Sequence, residues 1–244
     1  MTGTAREVRP ELWNVYRLRS VSVPTHKALQ RLILPTKVVV DDQLHLQSIL
    51  SAVREVYAQG RPILIGTATV AASEQISQGL TEQGISNQLL NAKQDSIEAQ
   101  IIASAASKGQ ITVATQMAGR GTDIKLSREV EQLGGLHVIL TQHYDAGRID
   151  RQLAGRCARM GDNGSYQQIL SLTHIDGRYS DLQWLARAAT PLLRTGHSMF
   201  MRLASYLLLL EQRRTEKYHA RVRDAVFKQD ERQRDLLAVS GRSE

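Results

Sequence analysis

Two basic, glycine-rich segments hold the residues of this 244-residue chain that are best suited to chemistry. The first reads A-T-Q-M-A-G-R-G-T-D-I (Ala114–Ile124), and the second reads Q-L-A-G-R-C-A-R-M-G-D (Gln152–Asp162). Glycine-rich loops at the ends of parallel strands present backbone N–H groups to phosphates, and arginines add positive charge. We interpret the stretch Ala114–Gly164, which contains both segments, as one half of a nucleotide site.

In the first segment, Gly119, Arg120, Gly121, Thr122 and Asp123 follow an apolar run that predicts a strand. The two glycines let the backbone come close to a ligand. The Asp123 carboxylate can accept hydrogen bonds from a ribose hydroxyl. A tight surface turn with an Asx bend explains the same residues, and taken alone the pattern favours that turn.

In the second segment, Arg156 and Arg159 lie three residues apart on a predicted helix that starts near Asp150. This spacing would place both side chains on one helix face. Two neighbouring guanidinium groups suit a γ-phosphate, because arginine neutralises charge that develops in phosphoryl transfer. Gln152, one turn earlier, can hold a phosphate, a lytic water or an arginine. The alternative is a basic patch that faces solvent.

Three further residues are weaker candidates. His137 and His143 lack metal-ligand companions at useful spacing, so we predict that both are structural or exposed, and we predict no metal site. The arginines beside Cys157 could lower the pKa of its thiol, but no His–acid pair accompanies it, so we predict no nucleophile. The chain contains no G-x-x-x-x-G-K-[ST] and no D-E-x-D sequence, so it would supply only the second wall of a nucleotide site.

Composition excludes some classes of protein. The hydrophobic content of 42% and charged content of 23% are ordinary for a soluble globular chain. No apolar run approaches the roughly 20 residues of a spanning helix, and no signal sequence begins the chain, so we expect a cytoplasmic protein. The net charge of +7 suits nucleic acid, phosphates or anionic lipid, or a solvated basic surface. Contact with the inner face of the plasma membrane stays open.

Strands and helices alternate through the middle of the chain. The predicted strands are Lys37–Val40, Pro62–Ile65, Ile85–Leu90, Ile111–Ala114, Gly135–Thr141 and Tyr166–Leu172. The predicted helices run from the cap Asp41 to about Gln59, from near Ala71 to Gly84, and from Asp95 or Ser96 to about Ser107. Right-handed crossovers then predict a parallel sheet with helices on both faces. The loops Gly66–Thr69, Asn91–Lys93 and Gln116–Asp123 would lie at its carboxyl edge.

The two ends of the chain have a different pattern. Near the start we predict a short helix over Pro10–Tyr16, a strand over Ser20–Val23 and a linker over Thr25–Thr36. After the last strand we predict a helix over Asp181–Arg194 and one long helix from Ser198 onward. The predicted domains are therefore a junction segment over residues 1–36, an α/β domain over 37–173 and a helical segment over 174–244.

The sequence motifs in these segments resemble those of a known family. The sequences A-T-x-M-A-G-R-G-T-D-I, G-G-L-H-V-I and R-I-D-x-Q-L-x-G-R-x-x-R-x-G-D-x-G resemble motifs V and VI of superfamily 2 motors in the form found in SecA, the preprotein translocase ATPase. The resemblance is close over roughly Met1–Leu172. It continues loosely into the C-terminal helix, which resembles the start of the SecA helical scaffold. It implies a RecA-like second motor domain followed by an α-helical segment.

The resemblance also implies roles for individual residues. Asp123 would contact the adenosine ribose, and Arg156 and Arg159 would be arginine fingers or γ-phosphate sensors. Gln152 would start motif VI. The motif V loop that couples the two motor lobes would be shaped by Gly119, Arg120, Gly121 and Thr122, and the coupling motif at the lobe junction would be Thr2–Thr4.

The cofactor implied by the resemblance is ATP, with Mg²⁺ held by a first lobe whose Walker segments this chain lacks. The implied partners are that first motor lobe, an exported preprotein and a membrane protein-conducting channel.

The chain departs from the family pattern at three positions. SecA commonly has asparagine at Gln116, arginine at Ala154 and glycine at Ala158, so the second segment is more helix-favouring here.

The resulting functional hypothesis is a motor lobe that couples ATP binding and hydrolysis to preprotein translocation and is inactive without the first lobe. One alternative is a superfamily 2 nucleic-acid helicase lobe, because motifs V and VI occur there too. An aromatic content of 5% argues against it, since stacking platforms need aromatic side chains. The other alternative is a degenerate, non-catalytic module whose charged helix over Glu211–Arg234 binds a partner.

Overall fold

A computed structural model describes residues 9–90, 101, 104–115, 124–193 and 198–240. Several predicted features lie outside these residues. They are Thr2–Thr4, the loop Asn91–Lys93, most of the helix predicted from Asp95 or Ser96, and the loop Gln116–Asp123 with its candidate residues Gly119, Arg120, Gly121, Thr122 and Asp123.

The described residues form one sheet of seven strands, and every strand pair in it is parallel. The strands are β1 (Arg31–Ile33), β2 (Lys37–Val39), β3 (Ile63–Thr67), β4 (Gln88–Leu90), β5 (Ile111–Thr115), β6 (Leu136–Leu140) and β7 (Gly164–Ser171). Their order across the sheet is β1-β7-β6-β3-β5-β4, and β2 also pairs with β7, near its carboxyl end. The parallel sheet predicted from the alternating pattern is confirmed.

The helices connect these strands and extend beyond them. They are α1 (Arg9–Tyr16), α2 (Asp42–Tyr57), α3 (Val70–Glu82), α4 (Arg128–Gln132), α5 (Gly147–Ala154), α6 (Ser180–Leu193) and α7 (Ser198–Ser240), with a short 3-10 turn at Leu172–His174. Side-chain caps begin three of them: Asp41, Thr69 and Ser127 each accept a hydrogen bond from the backbone N–H three residues later. The predicted cap at Asp41 is confirmed.

Helices cover both faces of the sheet, as predicted. Along β3, Ile63 and Ile65 point toward α2 and α3 and are fully buried, whereas Leu64 points to the opposite face. On that opposite face, α5 packs through Ile149 and Ala154 against β6. Successive residues of a strand point to opposite faces, so a strand buried on both sides has a continuous apolar sequence.

The C-terminal helices form a third apolar cluster with the sheet edge. Leu182 of α6 and Leu207 of α7 pack there with Val38 of β2 and Leu170 of β7. Farther along α7 the side chains become mostly exposed. Although α7 has 43 residues, neither it nor any other helix in the described residues is long and apolar enough to cross a membrane.

Two local predictions near the start of the chain were wrong. Residues 20–23 form no strand, and Val21 and Val23 are 83% and 75% exposed, so their alternating pattern has no sheet to pack on. Instead Arg31–Ile33, within the predicted linker, pairs with the beginning of β7. Leu32 and Ile33 are themselves largely exposed, so this edge strand depends on backbone pairing and leaves no burial pattern in the sequence.

Candidate functional site

The two glycine-rich segments are anchored on the same face of the sheet. Asp123 lies outside the described residues. The next residue, Ile124, is 6% exposed and belongs to the apolar core on the sheet face that α5 covers. Ala154 and Cys157, on either side of Arg156 in the sequence, belong to the same core. The chain positions next to Asp123 and next to Arg156 are therefore held in one apolar cluster, while the convergence of the two side chains stays a prediction.

Helix α5, which carries Gln152, lies directly on strand β3. A Cβ atom added at Gly66 would lie 2.2 Å from Leu153 Cδ2 and 3.1 Å from the Tyr144 hydroxyl oxygen. The Tyr144 hydroxyl donates a hydrogen bond of 3.1 Å to the carbonyl oxygen of Thr67. Because any side chain at Gly66 would displace Leu153, this glycine allows the close approach of α5 to the sheet.

The predicted shared helix face of Arg156 and Arg159 was wrong. Helix α5 ends at Ala154, and both arginines lie, half-buried, in the turn that leads to β7. Ala158, between them, has a φ of 55°, in the left-handed region that interrupts a right-handed helix. Arg159 Nε donates a hydrogen bond of 2.9 Å to the carbonyl oxygen of Gly155, which holds its side chain against the end of α5.

Tight packing of this turn against β7 accounts for its shape. A Cβ atom added at Gly164 would lie 2.8 Å from the backbone nitrogen of Ala158 and 2.9 Å from Cys157 Cβ. Alanine at 158 favours helix, as the sequence analysis expected, but this packing overrides the weak local propensity. Since Gly164 pairs with Leu136, the turn lies at the amino ends of β6 and β7.

Positive charge from three parts of the chain gathers around this turn. Arg31 of β1, Arg61 just before β3 and Arg159 of the turn all favour the ionised form of the Cys157 thiol electrostatically. Arg31 Nε is buried and has no hydrogen-bond partner. The Arg61 guanidinium, in contrast, donates hydrogen bonds to the carbonyl oxygens of Gly134 and Gly135 and to Ser165 Oγ. Nothing in the sequence pattern singled out Arg31 or Arg61, which lie far from the turn along the chain.

The Cys157 thiol is free and buried, which favours its protonated form. Burial raises the pKa of Cys157 to about 11, and the nearby arginines oppose this only in part. Its Sγ lies 3.3 Å from the carbonyl oxygen of Ala154, in hydrogen-bonding position. A thiol that stays protonated is a poor nucleophile.

His137 and His143, which were predicted to be structural or exposed, both lie close to polar side chains. His137 is fully buried in β6, with Nδ1 2.7 Å from Ser165 Oγ. Burial, together with the Arg61 cation, lowers the pKa of His137 to about 4. His143 Nδ1 lies 2.6 Å from Asp150 Oδ2. In the part of the chain that the structure describes, no three His, Cys, Asp or Glu side chains are grouped so that they could hold a metal ion.

A buried polar network at the first turn of α5 was missed by the sequence analysis. Asp150 accepts hydrogen bonds from the backbone N–H of Tyr144 at 3.0 Å and from Gln212 Nε2 at 2.8 Å, besides its contact with His143. Gln212 belongs to α7. The available signal was that Asp150 belongs to the sequence R-I-D-x-Q, which leads into the second segment.

A small polar cavity lies beside this network. Its volume is about 100 Å³, and it is lined by residues that follow β6, by the end of β7 and by α7. Arg178 and Asp176 form an ion pair of 2.6 Å at its wall, and burial raises the pKa of Glu211. The contact between the sheet and α7 is thus polar at this point and apolar in the third cluster.

Comparison with known proteins gives consistent matches. A family model described as the SecA P-loop domain matches residues 31–132 and 126–176. The protein translocase subunit SecA 2 of Nitrosospira multiformis is 41% identical, and the match covers 100% of this chain and 36% of that protein. The protein translocase subunit SecA 3 of Magnetococcus marinus is 44% identical, over 100% of this chain and 37% of that protein. Among solved structures, the Escherichia coli DEAD-box protein SrmB is similar with a TM-score of 0.46 and 19% identity, over 61% of this chain and 81% of that chain.

This chain spans little more than a third of the length of these translocase subunits. The family model nevertheless matches more than half of the chain, including β1 to β7. The turn that carries Arg156 and Arg159, called the arginine turn below, packs through Cys157 in one core with Ile124 within that matched region. The chain therefore belongs to the SecA family.

Proposed function

We propose that this chain is the C-terminal motor lobe of a SecA-like ATPase and couples ATP binding and hydrolysis to preprotein translocation across a membrane. The observation that carries the proposal is the common core of Ile124 and Cys157, which anchors both glycine-rich segments on one face of the sheet. The relatives that match the whole chain are named protein translocase subunits, which supports the same function.

The residues of the two segments contact different parts of ATP. Arg156 and Arg159 bind the γ-phosphate and neutralise the charge that develops on it. Gln152, on the last turn of α5, orients a polar group beside them. Asp123 accepts hydrogen bonds from the ribose. The motif V loop is shaped by Gly119, Arg120, Gly121 and Thr122. Bound ATP supplies the phosphoryl group for hydrolysis, and positive charge around the turn favours its triphosphate.

A first motor lobe completes the site by contributing the Walker segments and holding Mg²⁺. The part of this chain before the sheet exposes apolar side chains that such a lobe would cover: Trp13, Tyr16, Val21 and Val23 are 43%, 65%, 83% and 75% exposed. Because this chain provides only half of the phosphate contacts, by itself it binds ATP weakly and does not hydrolyse it.

The other partners follow from the same function. An exported preprotein and a membrane protein-conducting channel are the substrate and the docking site, and the protein works in the cytoplasm with peripheral contact at the inner face of the plasma membrane. Helix α7 transmits movement of the lobe to the preprotein. Its mixed charge and exposed surface suit a contact with another protein.

The proposal is tested by joining this chain behind the first motor lobe of the Nitrosospira multiformis relative and measuring ATP hydrolysis in a coupled assay. We expect turnover by this fusion and none by the chain alone. Arg156→Ala in the fusion should reduce kcat by at least about 100-fold, because an arginine finger typically contributes about 10³–10⁵.

Arg187→Ala is the matched control, since Arg187 is exposed on α6, away from the turn. It should leave kcat within twofold. Robust ATP hydrolysis by the chain alone, or full activity of the Arg156→Ala fusion, would contradict the proposed role. Binding of single-stranded RNA or DNA that weakens with salt would instead favour a helicase lobe.

A further inference from the structure

Helix α7 touches helix α5 through a buried hydrogen-bonded contact. Asp150 and Gln212 are 7% and 4% exposed. Gln212 Nε2 lies 2.8 Å from Asp150 Oδ2 and 2.9 Å from the carbonyl oxygen of Tyr144, so one amide group donates both of its hydrogens. The long helix is therefore joined both to the first turn of α5 and to the backbone that leads into it.

This contact is a polar link between α7 and α5, the helix that precedes the arginine turn. The apolar cluster that α7 shares with the sheet edge contains residues of β2, β7, α6 and the segment between β7 and α6, and none of α5. Apolar packing therefore holds α7 to the sheet edge, whereas Gln212 holds it to α5. Gln212 is therefore a residue through which a movement of α7 can act on α5.

Helix α5 is short and firmly packed, so displacement at one end reaches the other. Asp150 lies in its first turn, and Arg156 follows two residues after its end. The intervening Leu153 and Ala154 pack on the sheet face, and the turn beyond them presses on Gly164. Backbone hydrogen bonds along these eight residues fix the spacing between the first turn of α5 and its end.

We propose that Asp150 is a positioning residue that, through Gln212, couples the arginine turn of the ATP site to the long helix α7. This inference rests on the proposed ATPase function. When nucleotide binds at Arg156 and Arg159, α5 shifts, and the Asp150–Gln212 hydrogen bond carries that shift to α7. The polar bond allows the coupling to be broken without disturbing the apolar cluster.

The test uses the fusion described above and hydrogen–deuterium exchange with and without a non-hydrolysable ATP analogue and Mg²⁺. In the unmodified fusion we expect the analogue to change exchange in residues 147–162 and also in the part of α7 around Gln212. Gln212→Met removes both hydrogen bonds at similar side-chain volume. It should keep the change in residues 147–162 and reduce the change in α7 at least threefold.

Gln229→Met is the matched control, because Gln229 is an exposed glutamine of the same helix. It should leave both changes as they are. If the α7 response survives Gln212→Met unaltered, the inference is overturned while the ATPase proposal stands. If the analogue changes exchange nowhere, including residues 147–162, the proposed function fails and the inference fails with it.

A second variant tests the same contact in case Gln212→Met does not fold. Asp150→Asn keeps the size of the side chain but cannot accept from both Tyr144 and Gln212 as the carboxylate does. It should reduce the α7 response to the same degree. Combined with Gln212→Met, it should cause little further loss of the α7 response, because both changes remove the Asp150–Gln212 hydrogen bond. Additive losses in the double variant would contradict coupling through this pair.

Discussion

The sheet face under α5 and the long helix α7 are stabilised in different ways. On the sheet face, Leu136, Val138 and Leu140 are fully buried by elements that are distant in the sequence. In the outer half of α7, Val222 and Val226 are 43% and 53% exposed, and the helix rests on local hydrogen bonds. The first region depends on contacts across the whole lobe, and the second on neighbouring residues alone.

This difference explains where the candidate site can be disturbed. The arginine turn owes its shape to Gly164 and to the core beneath it, so a change in packing alters the position of Arg156 and Arg159. A change on the outer surface of α7 should not move these arginines, because the side chains there are mostly exposed to solvent. Substitutions in both regions and a change in pH test this difference.

The largest effect is expected for Gly135→Ala, on the sheet side of the comparison. Gly135 has a φ of +70°, and an added Cβ would lie 1.9 Å from the carbonyl oxygen of Asn163. Left-handed strain and overpacking against backbone should together reduce the free energy of unfolding by about 3 kcal/mol or more, measured by urea denaturation. Gly84→Ala is the control, since Gly84 has a φ of +71° but no atom within 4 Å of the added Cβ. It should cost about 1–2 kcal/mol, and equal costs would show that crowding at Gly135 is unimportant.

The second effect is a decrease in the free energy of unfolding at acid pH. Burial lowers the pKa of His137 to about 4, and it also lowers the pKa values of His45 and His174. A lowered pKa in the folded state means that the stability is complete above the unfolded value near 6.5 and is lost as pH falls toward 4.

For His137 alone, a shift of this size corresponds to a loss on the order of 3 kcal/mol below pH 4. The measurement is the free energy of unfolding between pH 7 and pH 4. His137→Gln, which does not titrate, should flatten part of that decline. An unchanged pH profile in this variant would show that His137 does not contribute.

The smallest effect is expected on the outer half of α7. Val226→Ala removes an exposed side chain and introduces a better helix former, so the free energy of unfolding should change by less than about 0.5 kcal/mol. Thermal unfolding followed by circular dichroism measures it. A loss above about 1 kcal/mol would contradict the view that this half of α7 depends on neighbouring residues alone.

Local signals in the sequence predicted much of the lobe. Asp41 caps α2, and the apolar runs around Ile63, Ile111 and Val138 are strands of the sheet. These features depend on the residue itself and on its near neighbours. The pairing of Arg31–Ile33 with β7 was not predictable, because an edge strand needs a partner and leaves its side chains exposed.

The candidate site was predictable in its residues and not in its geometry. Arg156 and Arg159 were identified by their type and spacing, but their placement on one helix face was wrong because Gly164 brings the turn close to β7. Asp123 lies outside the described residues, so its role stays a prediction. Gln212 could not be linked to Asp150 from the sequence, since 62 residues separate them.

Residue type and short-range spacing were enough to predict the class of fold, the helix cap at Asp41 and the two segments rich in glycine and arginine. Only the tertiary structure decided that the arginines lie in a turn at the amino ends of β6 and β7 and that Gln212 of α7 binds Asp150 of α5. The physical reason is that both arrangements depend on close packing between elements far apart in the chain, which local propensity does not specify.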